Sequence, residues 1–209
     1  MKAANLIIPD ECVKYIRWQH SRFMAAKVPD PQEAKRLYGE LIYQYFLGME
    51  PYFPKKVESI IEIGCGMATI EVFIKRKFPN AHLSLLDGTG ENIVKNGTPE
   101  EVGKGGWNDT LEPYNSREHT EMLLAANGVK VDRWIDIGTK EHLMADLILS
   151  MASYGFHYPF TTYDPEGFII CDLRRAQEGQ RINSIKAAGG KVVFVGPKYD
   201  RMAWQHPIR

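Results

Sequence analysis

The sequence predicts an α/β fold with a seven-stranded, mostly parallel sheet and helices on both faces, on three observations. A short apolar run with Ile60, Ile61 and Ile63 enters Gly64-Cys65-Gly66 and resumes as a helix pattern, Ile70, Phe73, Ile74 and Phe78 sharing one face. Strand-like and helix-like segments then alternate to the end of the chain, the order that builds a parallel sheet. The last two strand-like runs, 191–195 and 199–204, are joined around Gly196-Pro197, too short a connection for anything but an antiparallel pair.

Two helices precede this unit. Asp10 is placed to cap the first, whose face carries Val13, Ile16, His20 and Phe23. The second has Asp30 as cap, Pro31 in its first turn, Glu33 completing a capping box, and Ala34, Leu37, Tyr38, Leu41, Ile42 and Tyr45 at helical spacing, with Gly48 closing it. After the glycine turn, the run from His82 to Leu86 ends in Asp87. The pattern then stops: 88–113 holds six glycines and the isolated Trp107, a loop long enough to be a lid or an insertion without a chemical role. A helix starts near Ser116 and ends at Asn127-Gly128. Strands are predicted at 131–137, 146–151 and 168–173, with a short helix capped by Thr139 after the first of these and a helix over 178–188 after the last. The expected division is a helical extension over 1–55, covering the active site, and a domain over 56–209 with an insertion at 88–114.

Composition narrows the function. Lys and Arg number 26, as do Asp and Glu, so the formal net charge is zero over 209 residues. A nucleic-acid substrate, which would call for a basic excess or stripe, is not expected. The three cysteines, Cys12, Cys65 and Cys171, have neither metal spacing nor a disulfide framework. No apolar run approaches a membrane span and no leader is evident, so a cytoplasmic protein is expected. Nothing in the sequence sets the oligomeric state.

A strand, a glycine turn and a helix, with an acid ending the next strand, suit a nucleoside-like ligand: the helix N-terminus and the turn approach it, and the acid binds ribose hydroxyls. The spacing G-x-G-x-x-T puts Thr69 where a dinucleotide fingerprint has a third Gly or Ala, and Glu62 stands two residues before the first glycine. The strings E-I-G-C-G and L-L-D resemble the nucleoside-binding motif of class I S-adenosylmethionine-dependent methyltransferases, over roughly residues 57–205, with Ala68 replacing the motif's last glycine. The resemblance implies a Rossmann-like sheet with a C-terminal antiparallel hairpin strand, S-adenosyl-L-methionine as methyl donor and S-adenosyl-L-homocysteine as product. It implies that Glu62, Gly64, Cys65 and Gly66 surround the amino-acid end and ribose. Asp87 with Gly88 would take the ribose hydroxyls, Asp136 and Ile137 the adenine, and Ser150 would lie beside the cofactor. Asp136 could equally cap the following helix.

The same resemblance places acceptor chemistry after the fourth strand, in S-M-A-S-Y-G-F-H-Y-P over 150–159. Tyr158-Pro159-Phe160 lacks the first proline of the nucleobase-methylating motif. Asp172 is followed by Leu173 rather than Asn, so no catalytic metal is expected. The block is similar to one in a group of bacterial and phage-type methyltransferases, some described as acting on sugars. A small-molecule hydroxyl acceptor would need a base, and His157, with Tyr154 beside it, is the side chain there that titrates near neutrality. Alternatively Tyr154, Tyr158, Trp107 and Tyr45 could cage an amine by cation–π contact. Tyr45 could also simply pack its helix on the sheet, His157 could be a packed hydrogen-bonding residue, and the chain could bind the cofactor without transferring a methyl group, or be a nicotinamide enzyme.

Overall fold

The computed structural model describes residues 5–13, 15–16, 28–87, 116–136, 138–151, 153 and 163–207. Seven strands form one sheet: β1 (Ser59–Ile63), β2 (His82–Asp87), β3 (Arg133–Asp136), β4 (Met144–Ser150), β5 (Glu166–Arg174), β6 (Lys191–Val195) and β7 (Tyr199–His206). Their order is β3-β2-β1-β4-β5-β7-β6. Neighbours from β3 to β5 pair in parallel, and β7 is antiparallel to both β5 and β6. This is the predicted parallel sheet with a C-terminal hairpin strand.

Among the described residues, four α-helices flank it: α1 (Pro31–Met49), α2 (Thr69–Lys77), α3 (Arg117–Ala126) and α4 (Arg175–Ala187). Strand alternation sorts the side chains into two cores. Ile60, Leu83, Leu85, Leu147, Leu149, Ile170 and Ala203 face Tyr38, Ile42 and Phe46 of α1, Ile70 and Phe73 of α2, and Leu123 and Leu124 of α3. Ile61, Ile63, Leu86, Ile148, Cys171 and Met202 face Ile182 and Ile185 of α4. Among the described residues no helix is long and apolar enough to cross a membrane.

Several local expectations need correction. Asp30 does cap α1, its carboxylate accepting from the Gln32 and Glu33 amides at 3.1 and 3.3 Å. Glu33 does not complete the box; it takes a bidentate fork from Arg36, at 2.7 and 2.6 Å. A guanidinium one turn on outcompetes a single backbone N–H. The helix also runs through Gly48 to Met49, where Pro51, lacking an N–H, turns it into a short 3-10 segment over Glu50–Tyr52. Asp10 makes no cap bond among the described residues: it lies in a 3-10 turn, Asp10–Cys12, and pairs with Lys35 instead. That turn leads into Ile16, buried with Cys12 in the first core, while His20 and Phe23 lie outside the described residues, as does the 88–114 insertion.

The helix predicted at Thr139 is a turn and an extended approach, and Thr139 Oγ1 accepts from the Glu141 amide at 3.2 Å. The topology explains why. From the end of β3 the chain must pass two strands to reach β4, roughly 14 Å sideways at strand spacing, while returning along the sheet. About eight residues manage this extended, but a helix rising roughly 1.5 Å per residue would fall short. Similarly, the predicted helix over 178–188 gains a turn in front: α4 starts at Arg175, with Glu178 in a non-helical kink.

The α1–α2 contact is an aromatic one. Phe46, 1% exposed, lies 5.7 Å from Phe73 and 6.0 Å from Phe53, centroid to centroid. Phe46→Ala should cost about 3–5 kcal/mol of unfolding free energy. A urea midpoint lowered at unchanged slope is the expected result; a midpoint unmoved would mean α1 contributes no core.

Candidate functional site

The carboxyl ends of the parallel strands converge on the turn after β1. In register, Ile63 pairs with Leu86, and Asp87 with Asp136, so β1, β2 and β3 end at one edge. The turn holds three left-handed residues in five: Gly64 at φ +74°, Gly66 at +54° and Ala68 at +49°. Two of the three are glycines, which adopt this conformation without penalty; for Ala68 it costs roughly 1–2 kcal/mol. The position that departs from the glycine motif is therefore one where glycine would sit without strain.

The end of β2 holds the turn. Leu86 O accepts from the Gly64 and Cys65 amides at 2.7 and 3.4 Å, and Asp87 Oδ2 accepts the Gly66 N–H at 2.6 Å. Thr120 of α3 donates from Oγ1 to Gly66 O at 3.1 Å. From β4, Ser150 Oγ donates to Ile63 O at 2.8 Å. Ser153, just beyond, is closer still: a Cβ on Gly64 would lie 1.8 Å from its Oγ. Gly64 is thus required twice, by its φ and by Ser153. Burial, then the neighbouring Asp87, push the Cys65 thiol well above its ordinary range, so it stays protonated and is no nucleophile.

Six of the predicted residues, Gly64, Cys65, Gly66, Asp87, Ser150 and, on the last turn of β1, Glu62, meet at this edge. Glu62 is 2% exposed, and its Oε2 takes no hydrogen bond among the described residues, an open acceptor beside the turn. Asp136 is exposed one strand over, beside Asp87, and its carbonyl accepts the Thr139 amide at 3.0 Å; its alternative role as a helix cap falls with the helix. Tyr45 of α1 makes no contact with the turn among those described and has its ring 5.0 Å from the Arg201 guanidinium of β7. Gly88, Trp107, Ile137, Tyr154, His157 and Tyr158 lie outside the described residues. Sequence reasoning missed Thr120, Ser153 and Arg201. The hydroxyls carry no local signal, whereas Arg201 interrupts an apolar strand and could have been flagged. Among the described residues there is no group of three or more His, Cys, Asp or Glu able to hold a metal.

The sheet order and the single reversed strand, β7, make this a Rossmann-like sheet closed by an antiparallel C-terminal hairpin. No family model and no curated protein matches the chain. Solved structures similar to it include a methyltransferase from Pyrococcus furiosus, at 15% identity and TM-score 0.43, covering 78% of this chain and 82% of that one. The precorrin-6y C5,15-methyltransferase from Geobacter metallireducens is similar at 14% identity and TM-score 0.44, covering 76% and 86%. Mitomycin 7-O-methyltransferase is similar at 14% and 0.44, covering 90% of this chain and 60% of that one. The chain thus spans three fifths of the mitomycin enzyme.

Beneath the turn, α2 opens on two buried polar groups. Tyr38 of α1 and Thr69 share a hydrogen bond of 2.6 Å. Glu71 is fully buried, and neither carboxylate oxygen has a partner among the described residues. Burial pushes its pKa up to about 8. The folded chain therefore keeps a proton that an unfolded one, titrating near 4.5, releases. Stability should fall as pH rises between those values, by about 1.4 kcal/mol per unit at most. Glu71→Gln should flatten that slope, gaining up to a few kcal/mol at pH 8 and little at pH 4.5 relative to the original. Urea unfolding at both pH values measures it; equal effects at the two would show that Glu71 does not titrate on unfolding.

Proposed function

We propose that this chain is an S-adenosylmethionine-dependent methyltransferase acting on the hydroxyl group of a small molecule. The observation that carries the reading is the Asp87 carboxylate fixed on the Gly66 N–H at 2.6 Å. It sets an acid, a left-handed glycine turn and the start of α2 at one sheet edge, the arrangement that suits a nucleoside with a charged tail.

The residues present fit that ligand. The carbonyl oxygens of the Gly64-Cys65-Gly66 turn, with the buried Glu62, would hold the ammonium group of the amino-acid end, since the three amides of the turn are already bonded to Leu86 O and Asp87. Asp87 and Gly88 would take the ribose, Asp136 and Ile137 the adenine, and Ser150 would steady the turn from β4. Bound there, S-adenosyl-L-methionine supplies an electrophilic methyl group and leaves as S-adenosyl-L-homocysteine. The chain's own task is to hold an acceptor oxygen in line with that group and to remove its proton. We assign the proton to His157, with Tyr154 three residues before it in the chain, because they follow β4 in the segment that starts at the glycine turn with Ser150 and Ser153. An amine cage is less favoured, since Tyr45, one of its four proposed walls, already faces the Arg201 cation, which would repel a second one. The neutral charge balance supports a small-molecule acceptor over nucleic acid, and no metal enters the scheme.

S-adenosyl-L-homocysteine at a hundred times its dissociation constant should stabilise the fold by about 2.7 kcal/mol, and NAD should not. Asp87→Ala should abolish most of that gain, and should lower the unliganded stability by about 1.5–3 kcal/mol through the lost Gly66 bond. A thermal shift with NAD but none with S-adenosyl-L-homocysteine would overturn the cofactor assignment.

Once an acceptor is in hand, His157→Ala should reduce turnover by roughly 10²- to 10⁴-fold with cofactor affinity little changed. The rate of the original should fall on acidification as the imidazole protonates, and that limb should be missing in the variant. Normal turnover with the limb retained would remove His157 from the chemistry.

A further inference from the structure

Next to the glycine turn, the same sheet edge carries a buried charge pair that the cofactor scheme does not use. Asp172 of β5 and Arg201 of β7 are directly opposed in the antiparallel register. Nε and Nη2 of Arg201 donate to Oδ1 and Oδ2 of Asp172 at 2.6 and 2.9 Å. The two side chains are 5% and 1% exposed. Asp172 is one residue beyond Cys171, the partner of Ser150, so the pair stands at the carboxyl end of β4 and β5. Alternation puts it on the face of Ile170 and Ala203, the face covered by α1.

The pairing uses one edge of the guanidinium. Nη1, with two N–H bonds pointing away from Asp172, has no hydrogen bond among the described residues. Nη1 is not one of the fully enclosed unmatched atoms among the described residues, so its donors stay within reach of a ligand. Tyr45 lies against the guanidinium face, 5.0 Å from ring centroid to Cζ. Tyr199, two residues before Arg201 on the same face of β7, is raised to about 12 by burial and then by Asp172, with Arg201 and Tyr45 also acting on it. Both tyrosine hydroxyls are therefore neutral at physiological pH.

We propose that Arg201 Nη1 is a recognition point for the methyl acceptor, with Tyr45 as its flat wall, and that the acceptor presents a neutral oxygen on a planar ring, as a phenol does. The proposal rests on the methyltransferase reading above and deepens it. Asp172 already cancels the Arg201 charge, so an anion placed on Nη1 would add a second negative charge to a guanidinium that neutralises only one. A neutral oxygen meets no such repulsion, and a planar ring continues the stack that Tyr45 begins.

The test is ligand-observed NMR titration of the full chain, saturated with S-adenosyl-L-homocysteine, with phenol and benzoate as probes. Phenol should bind and benzoate should bind at least about ten-fold more weakly, the size of one unfavourable charge contact. Asp172→Asn uncovers the Arg201 charge: benzoate should gain about ten-fold or more while phenol changes less than about three-fold. A pair that only holds β5 to β7 predicts no such reversal. Arg201→Lys should lose about ten-fold in phenol affinity with S-adenosyl-L-homocysteine affinity unchanged. Tyr45→Ala leaves the ion pair intact and should also weaken phenol, which keeps the question open to decision if the charge variants misfold. Phenol affinity unmoved in both Arg201→Lys and Tyr45→Ala, or benzoate still excluded by a folded Asp172→Asn protein, overturns the proposal. So does an original chain that binds S-adenosyl-L-homocysteine but neither probe. Failure to bind S-adenosyl-L-homocysteine is a separate result, and overturns the cofactor assignment instead.

Discussion

The Asp87–Gly66 hydrogen bond, 2.6 Å from carboxylate to amide, is the constraint on which the site depends. A turn with left-handed backbone at residues 64, 66 and 68 is not one that the chain holds by itself, least of all with alanine in the last place. The end of β2 holds it, through Leu86 O on two amides and Asp87 on a third. That is possible only because β1 and β2 pair in parallel with Ile63 level with Leu86, bringing both strand ends to the same height. Once the turn is set, α2 leaves it at an angle that lays Ile70, Phe73 and Ile74 on the sheet. The packing of that helix and of α1 over it repays the strain at Ala68.

The polar groups of the two sheet faces are organised differently. On the α4 face, Asp200 is 4% exposed and takes both Arg175 and Lys186. Arg175 also donates to the carbonyls of Gly196, Pro197 and Tyr199. That cluster clasps the β6–β7 hairpin to α4 and its donors are spent on protein acceptors. On the α1 face the buried polar atoms are less fully matched. Glu62 Oε2 and both oxygens of Glu71 are buried without a hydrogen bond among the described residues. Exposed pairs such as Arg117–Glu121 contribute at most about 1 kcal/mol and carry no such meaning. Of the two unmatched acids, Glu62 stands at the end of β1 beside the glycine turn, whereas Glu71 is enclosed beneath it and holds a proton instead of a partner.

Much of the sheet was legible in the sequence because its signals are local. A change from apolar run to helical period across Gly64-Cys65-Gly66 marks β1, the turn and α2. The short Gly196-Pro197 connection forces the antiparallel hairpin. The features that escaped depend on distance. Whether 137–143 forms a helix is decided by how far β3 lies from β4, which only the strand order reveals. Glu33 turned to Arg36 because the competitor sits one helical turn away. The left-handed state of Ala68 is imposed by the bonds that hold the turn before it. Asp172 and Arg201 were visible singly, as charges in the inward-facing rows of FIICDL and RMAW, yet their pairing needed the β5–β7 register. Of the proposed site, the cofactor contacts are inferred from motif and spacing, while the acceptor contacts rest on residues far apart in the chain.

β4 joins the two halves. Ser150 bonds the last carbonyl of β1, and Ser153 fills the space over Gly64 that a side chain would occupy. On its other side, β4 pairs with β5, where Ser150 is level with Cys171, the residue before Asp172. A ligand that settles on the glycine turn therefore meets Ser153, four residues before His157 in the chain. One that settles on Arg201 meets the neighbouring strand. Because β4 is buried along its final residues and hydrogen-bonded on both sides, it holds the two contact points at a fixed spacing. In-line transfer between two bound molecules needs that fixed spacing, and mobile side chains alone would not supply it.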